Sequence, residues 1–506
     1  MTATAATQAS AVTEASVGLN PTKKLGLLGV LMPGLAQIAP AFNLFFTTGF
    51  MASLAGASVP LVFLISMIGM VATGLSLAQF ANLYPSAGSF ITYISKTLGA
   101  RTATATGIIA IVGYMIAFGG IYIFVGSFIV QNIFHAGSNT LLTVITTIVF
   151  GAVVTVPVII GLQFGIRMTV VLYLIEVVVL VVLSVAILAQ GGSEGLSLVP
   201  FTWPSGSAGS NIFLAFSLAV LAFGGFEASA PLAEETRNPR RNVPIAVVGS
   251  VVVSGIIYVL GSYAIVTAFG VSHMKQFSLD ASPFTTAASH FLPILVPVIA
   301  AVFLVSVTSS YVAANTQTSR VIFAGARGGL WPRSLSTVHR RFQTPWVAAV
   351  AFVVPSILIG CASLAFTDPG TASAFLGTYG ILGIVIMYIV ANVALIVQYV
   401  KLRRVGVRKN PLLWVAVPIV GLIVLAIPVW GDLHPGQDAP FNALPWLTVV
   451  LVAVGVIYAV VLGIVRPNAL AHAATLLEGG DVHGDESVTA RSADVDGATD
   501  QMRVDA

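Results

Sequence analysis

Charge is what this 506-residue chain has least of: Asp, Glu, Lys and Arg make up only 8% of it, against about 25% in an ordinary soluble domain. With 57% hydrophobic residues and a mean hydropathy of +0.98, the shortage excludes a water-soluble globular fold. Cysteine is nearly absent too. Cys361 alone cannot build a disulfide framework or a Cys-ligated metal site. The apolar runs contain no HExxH, no paired acidic cluster and no Cys/His grouping, so no metal is expected and a membrane metalloprotease is excluded. No GxxxxGKS/T phosphate loop appears, which excludes ATP-driven pumping by this chain, and no Arg ladder suggests a voltage sensor. Scattered Ser and His residues do not form a triad, so no enzyme activity and no cofactor are expected. The sequence pI of about 9.2 does not imply nucleic acid, because in a chain this apolar a basic excess marks cytoplasmic loops.

What the chain has is length and apolar runs. A membrane-spanning helix needs about 20 mostly apolar residues. Such runs lie near 27–51, 58–82, 103–130, 140–163, 168–190, 211–231, 245–270, 291–320, 346–366, 373–400, 412–430 and 445–466. They do not alternate as barrel strands would, and irregular backbone cannot face lipid. The runs predict an all-α polytopic membrane protein with twelve transmembrane helices in residues 25–466, the lipid bilayer being its medium. Residues 1–24, Ala/Thr/Ser-rich and without an apolar core, are expected to be a disordered cytoplasmic N-terminus with no cleavable signal peptide. Residues 467–506, where Glu478, Asp481, Asp485, Glu486, Asp494, Asp496, Asp500 and Asp505 oppose Arg491 and Arg503, are expected to be an acidic, disordered cytoplasmic tail.

Lys and Arg set the orientation. With twelve spans, the side holding both termini receives every one of the 22 basic residues except Lys275. A wrong span count would scramble that partition, so it supports the count as well as cytoplasmic termini in the cell membrane.

Two spans, five apart, contain helix breakers near their middles. The first carries Pro33-Gly34, Gln37, Ala39-Pro40-Ala41 and Asn43; the sixth carries Gly224-Gly225, Glu227 and Pro231. Proline removes a backbone donor and clashes with the preceding turn, and each glycine costs about 1 kcal/mol of helix propensity. Broken helices in matching positions point to a substrate site at mid-membrane. Only Glu176, in the fifth span, and Glu227 are read as acids well inside the hydrocarbon. An acid there costs about 3 kcal/mol, so it is paired or functional. Glu176 lies nine residues past Arg167, roughly 13 Å deep at 1.5 Å per residue, and is a candidate proton carrier or a neutral acid bonded to Tyr173 or a helix carbonyl. Glu227 is a second candidate for proton coupling.

Three segments resemble the bacterial amino-acid permease branch of the amino acid–polyamine–organocation (APC) superfamily: FGGFEASAPLAEETRNPRRNVPIA (223–246), NTQTSRVIFAGARGGLWPRSLSTVHRRFQTP (315–345) and YPSAGSFITYISKTLG (84–99). The resemblance implies a LeuT-type fold, two inverted five-helix repeats followed by two further helices. It implies that the unwound parts of helices 1 and 6 hold the substrate's carboxylate and amino groups through backbone atoms. Carried over residue by residue, these are Ala39, Pro40, Ala41 and Phe42 on helix 1, and Phe223, Gly224, Gly225, Phe226 and Glu227 on helix 6. Glu176 stands near the position that holds a Lys in proton-coupled relatives, and Ala326-Arg327-Gly328-Gly329 lacks the Asp common in the loop after helix 8.

The expected function is therefore secondary active transport, importing amino acids with protons as the coupling ion, by alternating access. The alternatives are a polyamine or other organic-amine importer, an amino-acid/amine exchanger, and a non-transporting nutrient sensor. The topology is testable directly: a cysteine placed at position 275 should react with an impermeant reagent from outside the cell. Labelling from the cytoplasmic side alone would overturn the whole arrangement.

Overall fold

The computed structural model describes residues 24–466, apart from 206, 281, 435, 436 and 438. The proposed disordered termini, 1–24 and 467–506, thus lie outside the described residues except for Lys24. The first half of the chain forms α1 (Leu27–Ile38), α2 (Pro40–Ala55), α3 (Val59–Leu83), α4 (Phe90–Leu98), α5 (Ala100–Asn132), α6 (Thr140–Ile160), α7 (Leu162–Ala189) and α8 (Ser207–Phe223). A ten-residue 3₁₀ segment, Phe226–Glu235, leads to α9 (Pro239–Phe269), α10 (Met274–Leu279), α11 (Pro283–Phe291) and α12 (Val296–Arg327). The chain ends in α13 (Trp346–Ser363), α14 (Pro369–Arg404), α15 (Val417–Leu433) and α16 (Leu444–Val465).

Eleven helical segments among the described residues are long and apolar enough to cross a membrane. The first of them, Leu27–Leu83, contains 57 residues and is interrupted at Gly56–Ser58, where Gly56 has φ +58°. The chain is a multi-pass membrane protein. Its outward faces carry apolar side chains such as Leu141, Val178, Ile423 and Ile464, and polar side chains turn inward. Three short helices, α4, α10 and α11, lie in connections that apolar length alone does not mark. At the ends of spans, side chains take up free amides. Asn139 Oδ1 accepts from Leu142 N at 3.0 Å, and Asp368 Oδ1 accepts from Gly370 N and Thr371 N at 2.9 and 3.0 Å. The Thr371 hydroxyl first, then the Thr371 and Gly370 amides, hold the Asp368 carboxyl below its ordinary range.

Helix packing in lipid relies on small residues that let backbones approach. α5 carries a glycine toward each of three neighbours, α14, α13 and α6. A Cβ on Gly113 would sit 2.8 Å from Gly380 O of α14, one on Gly119 2.6 Å from Ser356 O of α13, and one on Gly126 2.8 Å from Thr143 O of α6. The reverse contact is tighter still: a Cβ on Gly380 would lie 2.4 Å from Ala117 N. Gly380→Ala should therefore push α5 and α14 apart at a cost of about 1–3 kcal/mol, seen as a lower thermal midpoint in detergent. Gly249→Ala, whose Cβ would meet only Leu31 at 3.4 Å, should not lower it. Equal midpoints would show that the α5–α14 seam is not close-packed.

Candidate transport site

Both sequence interruptions are breaks in the helices. Ala39, with φ +45°, separates α1 from α2, so Pro40 begins the second helix where its missing N–H costs nothing. A left-handed alanine costs about 1–2 kcal/mol, a strain held here by complete burial. Pro33, by contrast, stays inside α1, and Gly34 lets α1 close onto the 3₁₀ segment: a Cβ there would lie 3.0 Å from Phe226 O. At the second break Gly225 has φ +102°, and the chain continues as 3₁₀ helix instead of a second α-helical half. A 3₁₀ run this long is uncommon and marks a hinge or a strained sequence.

The breaks free backbone groups, and side chains from neighbouring helices take them. Tyr258 of α9 serves both breaks at once: its one hydroxyl proton is shared between Ala222 O at 2.6 Å and Ile38 O at 2.8 Å. Asn43 Nδ2 donates to Ile38 O at 2.6 Å. Ser310 of α12 donates to Gln37 O at 2.8 Å, and Ser306 accepts from Phe42 N at 3.0 Å. Ala41 N donates to Glu176 Oε2 at 3.4 Å. The bare amides and carbonyls expected at Ala39–Phe42 and Phe223–Gly225 are thus largely capped, because a polar group left unpaired in a dry interior costs about 1–3 kcal/mol.

The two acids differ sharply. Glu227 is fully buried and held by three helices: Tyr114 of α5 donates to Oε1, Tyr388 of α14 donates to Oε2 at 2.8 Å, and Gln317 Nε2 of α12 reaches Oε1 at 3.4 Å. Glu176 is equally buried, but its Oε1 has no hydrogen-bond partner among the described residues, and Tyr173 does not bond it. A third acid escaped the sequence reading. Asp432, placed there beyond the end of a span, lies inside α15 at 1% exposure, with Oδ2 unpaired among the described residues.

Between the breaks lies a cavity of about 40 Å³, bordered by Gln37, Phe42, Asn43, Tyr114, Gly224 and Ser310. That is room for two or three waters. A larger vestibule of about 270 Å³ opens toward the far ends of α5 and α12. Phe46 borders both spaces, and its ring contacts Phe42 at 5.5 Å and Phe124 at 4.7 Å. On the opposite, N-terminal face, the bundle is tied shut. Arg320 Nε pairs with Glu235 at 2.6 Å, both buried, and Arg327 pairs with Glu234 at 3.1 Å. Glu234 also accepts from Ala87 N at 3.1 Å, and Leu25 bridges Glu235 and Arg237 through two backbone hydrogen bonds of 2.9 and 2.8 Å. Residues from all three family-like segments meet in this latch. Arg327 has a partner in Glu234 although the loop after α12 lacks its usual Asp.

Two broken helices facing each other across a small cavity, with acids and tyrosines at the breaks, have the form of a transport site. Residues 29–470 match the amino acid permease family. The chain belongs to that family. It is therefore a permease of the APC superfamily and not an enzyme. It is 29% identical over 385 residues to the branched-chain amino acid permease BcaP of Bacillus subtilis (strain 168), covering 70% of this chain and 78% of that protein. It is 23% identical over 452 residues to the low-affinity putrescine importer PlaP of Escherichia coli (strain K12), covering 86% and 92%. A methylthioribose transporter of B. subtilis is 24% identical over 359 residues, covering 66% and 75%.

The permease's site residues that sequence reasoning overlooked are Tyr114, Tyr258, Ser306, Gln317 and Tyr388. Their signal was a polar group within an apolar run, weaker than a proline or a glycine pair. Tyr258→Phe tests the joint between the breaks. Removing one hydroxyl leaves Ala222 O without its donor, and the variant should lose about 1–3 kcal/mol of stability, read as a lower thermal midpoint in detergent. An unchanged midpoint would mean that the carbonyls find other donors.

Proposed function

We propose that this permease is a secondary transporter that imports amino acids across the cell membrane together with protons, by alternating access. The observation that carries the reading is the pair of helix breaks, at Ala39 and Gly224–Gly225, enclosing one cavity between a vestibule and a latched face. A straight 57-residue helix would be about 85 Å long, nearly three times the hydrocarbon thickness of about 30 Å. The segment Leu27–Leu83 is accordingly read as two crossings, twelve in all, which puts both termini on one side with the latch, and the Lys and Arg distribution assigns that side to the cytoplasm. The two broken spans occupy corresponding places in two inverted repeats of five helices, with α15 and α16 following, as in the LeuT-type fold. In this reading the vestibule is extracellular and the bundle is closed to the cytoplasm.

Of the break residues Ala39–Phe42 and Phe223–Glu227, Phe42 and Gly224 border the cavity and are assigned to substrate contact, and the rocking of α1 and the 3₁₀ segment opens each side in turn. Opening inward requires the Arg320–Glu235 and Arg327–Glu234 pairs to separate. Glu227, with both oxygens engaged, acts as a hub of the inner gate. Glu176 is the proton carrier. A buried carboxylate without a cation or a full set of donors is costly, so the neutral acid suits this closed state, and the proton leaves when water reaches the site. The likeness to a branched-chain amino acid permease favours amino acids. The likeness to a putrescine importer keeps an amine substrate as the second reading.

Purified protein in liposomes tests the proposal. Uptake of labelled amino acids should be driven by an inside-alkaline pH gradient, and Glu176→Gln should retain binding while losing the pH dependence of uptake. Retained pH dependence would return Glu176 to a structural role, and no uptake of any amino acid or amine would favour a non-transporting sensor.

A further inference from the structure

Each polar side chain on the cavity wall can be followed to its partner. Asn43 donates to Ile38 O, Ser310 to Gln37 O and Tyr114 to Glu227. Gln37 is the exception. Its side chain is buried, at 4% exposure, and borders the cavity, yet neither its Oε1 nor its Nε2 has a hydrogen-bond partner among the described residues. Buried side-chain amides in folded proteins are almost always bonded, and an orphan calls for an explanation. Gln37 is also held in place, since it packs on the bare Cα of Gly225, where a Cβ would come within 2.3 Å of its Cγ. The side chain thus sits at the joint of the two breaks, next to the backbone groups that Tyr258, Asn43 and Ser306 already occupy.

An amide offers one acceptor and two donors. Those are the complements of an ammonium and a carboxylate, the two ends of an α-amino acid head group. The remainder of the cavity narrows the class further. α5, α8 and α14 contribute Phe118, Ile121, Leu221, Ile381 and Ile384, and no acid or base other than Tyr114 borders the space. A charged side chain would have no counter-ion there: Glu227 lies outside the lining, fully buried, with its oxygens taken by Tyr114 and Tyr388.

We infer that the substrate is an α-amino acid with an uncharged, apolar side chain, and that Gln37 is the residue that binds its head group. The inference rests on the transport reading above and adds the ligand and its recognition. The side-chain wall discriminates against cations because a buried unpaired charge is costly, and the amide discriminates against molecules that lack either end of the zwitterion.

The test is counterflow in liposomes loaded with unlabelled leucine. Labelled leucine should exchange, and lysine, arginine or putrescine in excess should not compete. 4-Methylpentanoate, which lacks the ammonium, and isopentylamine, which lacks the carboxylate, should compete at least tenfold more weakly than leucine. Gln37→Met, similar in volume without the amide, should raise KM for leucine by about ten- to a hundredfold, the loss expected for hydrogen bonds to charged groups, with Vmax changed much less. It should also shrink the preference for leucine over the two one-ended analogues. Competition by putrescine or lysine stronger than by leucine would overturn the substrate class while leaving a transporter. One-ended analogues as effective as leucine in the wild type would overturn the head-group assignment even if the Met variant fails to fold. An unaltered KM in a folded Gln37→Met protein would do the same. Absence of exchange with any amino acid or amine would instead remove the transport reading itself.

Discussion

Everything at the centre of this protein follows from one requirement: inside a membrane, no backbone amide or carbonyl can turn to solvent for a partner. A broken helix violates that requirement unless side chains replace the lost turn. Tyr258 does so for both breaks with one hydroxyl, bonded to Ile38 O and Ala222 O. Ser229 and Ser250 extend the same logic along the 3₁₀ segment, through Val30 O and Phe226 O. The breaks are therefore a single unit, stitched to α9 and α12, and not two independent kinks. The capping groups are side-chain hydroxyls, amides and a carboxylate from neighbouring helices, not backbone.

The charge distribution extends the requirement outward. In the middle, Glu227 is hydrogen-bonded by tyrosines and a glutamine, groups that can hold an acid without adding a cation. Nearer the N-terminal face, where water is closer, the same helices hold their acids with arginines. The ion pairs are specific but breakable, because separation toward water restores hydration to both partners. A latch of buried hydrophobic residues alone would lack that release. The opposite side is closed more lightly, by the contacts of Phe42, Phe46, Phe124 and Phe303.

The break positions were legible in the sequence because proline and paired glycine act locally. Pro40 cannot sit in a helix interior without loss, and Gly225 adopts a φ that other residues avoid. The latch was half legible: Glu234, Glu235 and Arg327 stood in family-like segments, but their pairing across 85 to 93 positions was not. Asp432 was misplaced for a simpler reason. Apolar length marks where hydrocarbon burial ends, whereas α15 continues through Asp432 because α8 packs over it at Gly431 and Phe213.

By itself the sequence determined what depends on composition and short-range geometry: a membrane solvent, helices as the spanning element, the places where two helices must stop, and the family. The tertiary structure alone decided which polar atoms meet. Whether Glu176 or Glu227 finds donors, whether the freed carbonyls of the breaks stay bare, and whether Gln37 is satisfied depend on Tyr114, Tyr258, Ser306 and Tyr388, brought in from distant spans. A hydrogen bond is made or lost within a few tenths of an ångström, and no periodicity in an apolar run records side-chain placement that finely.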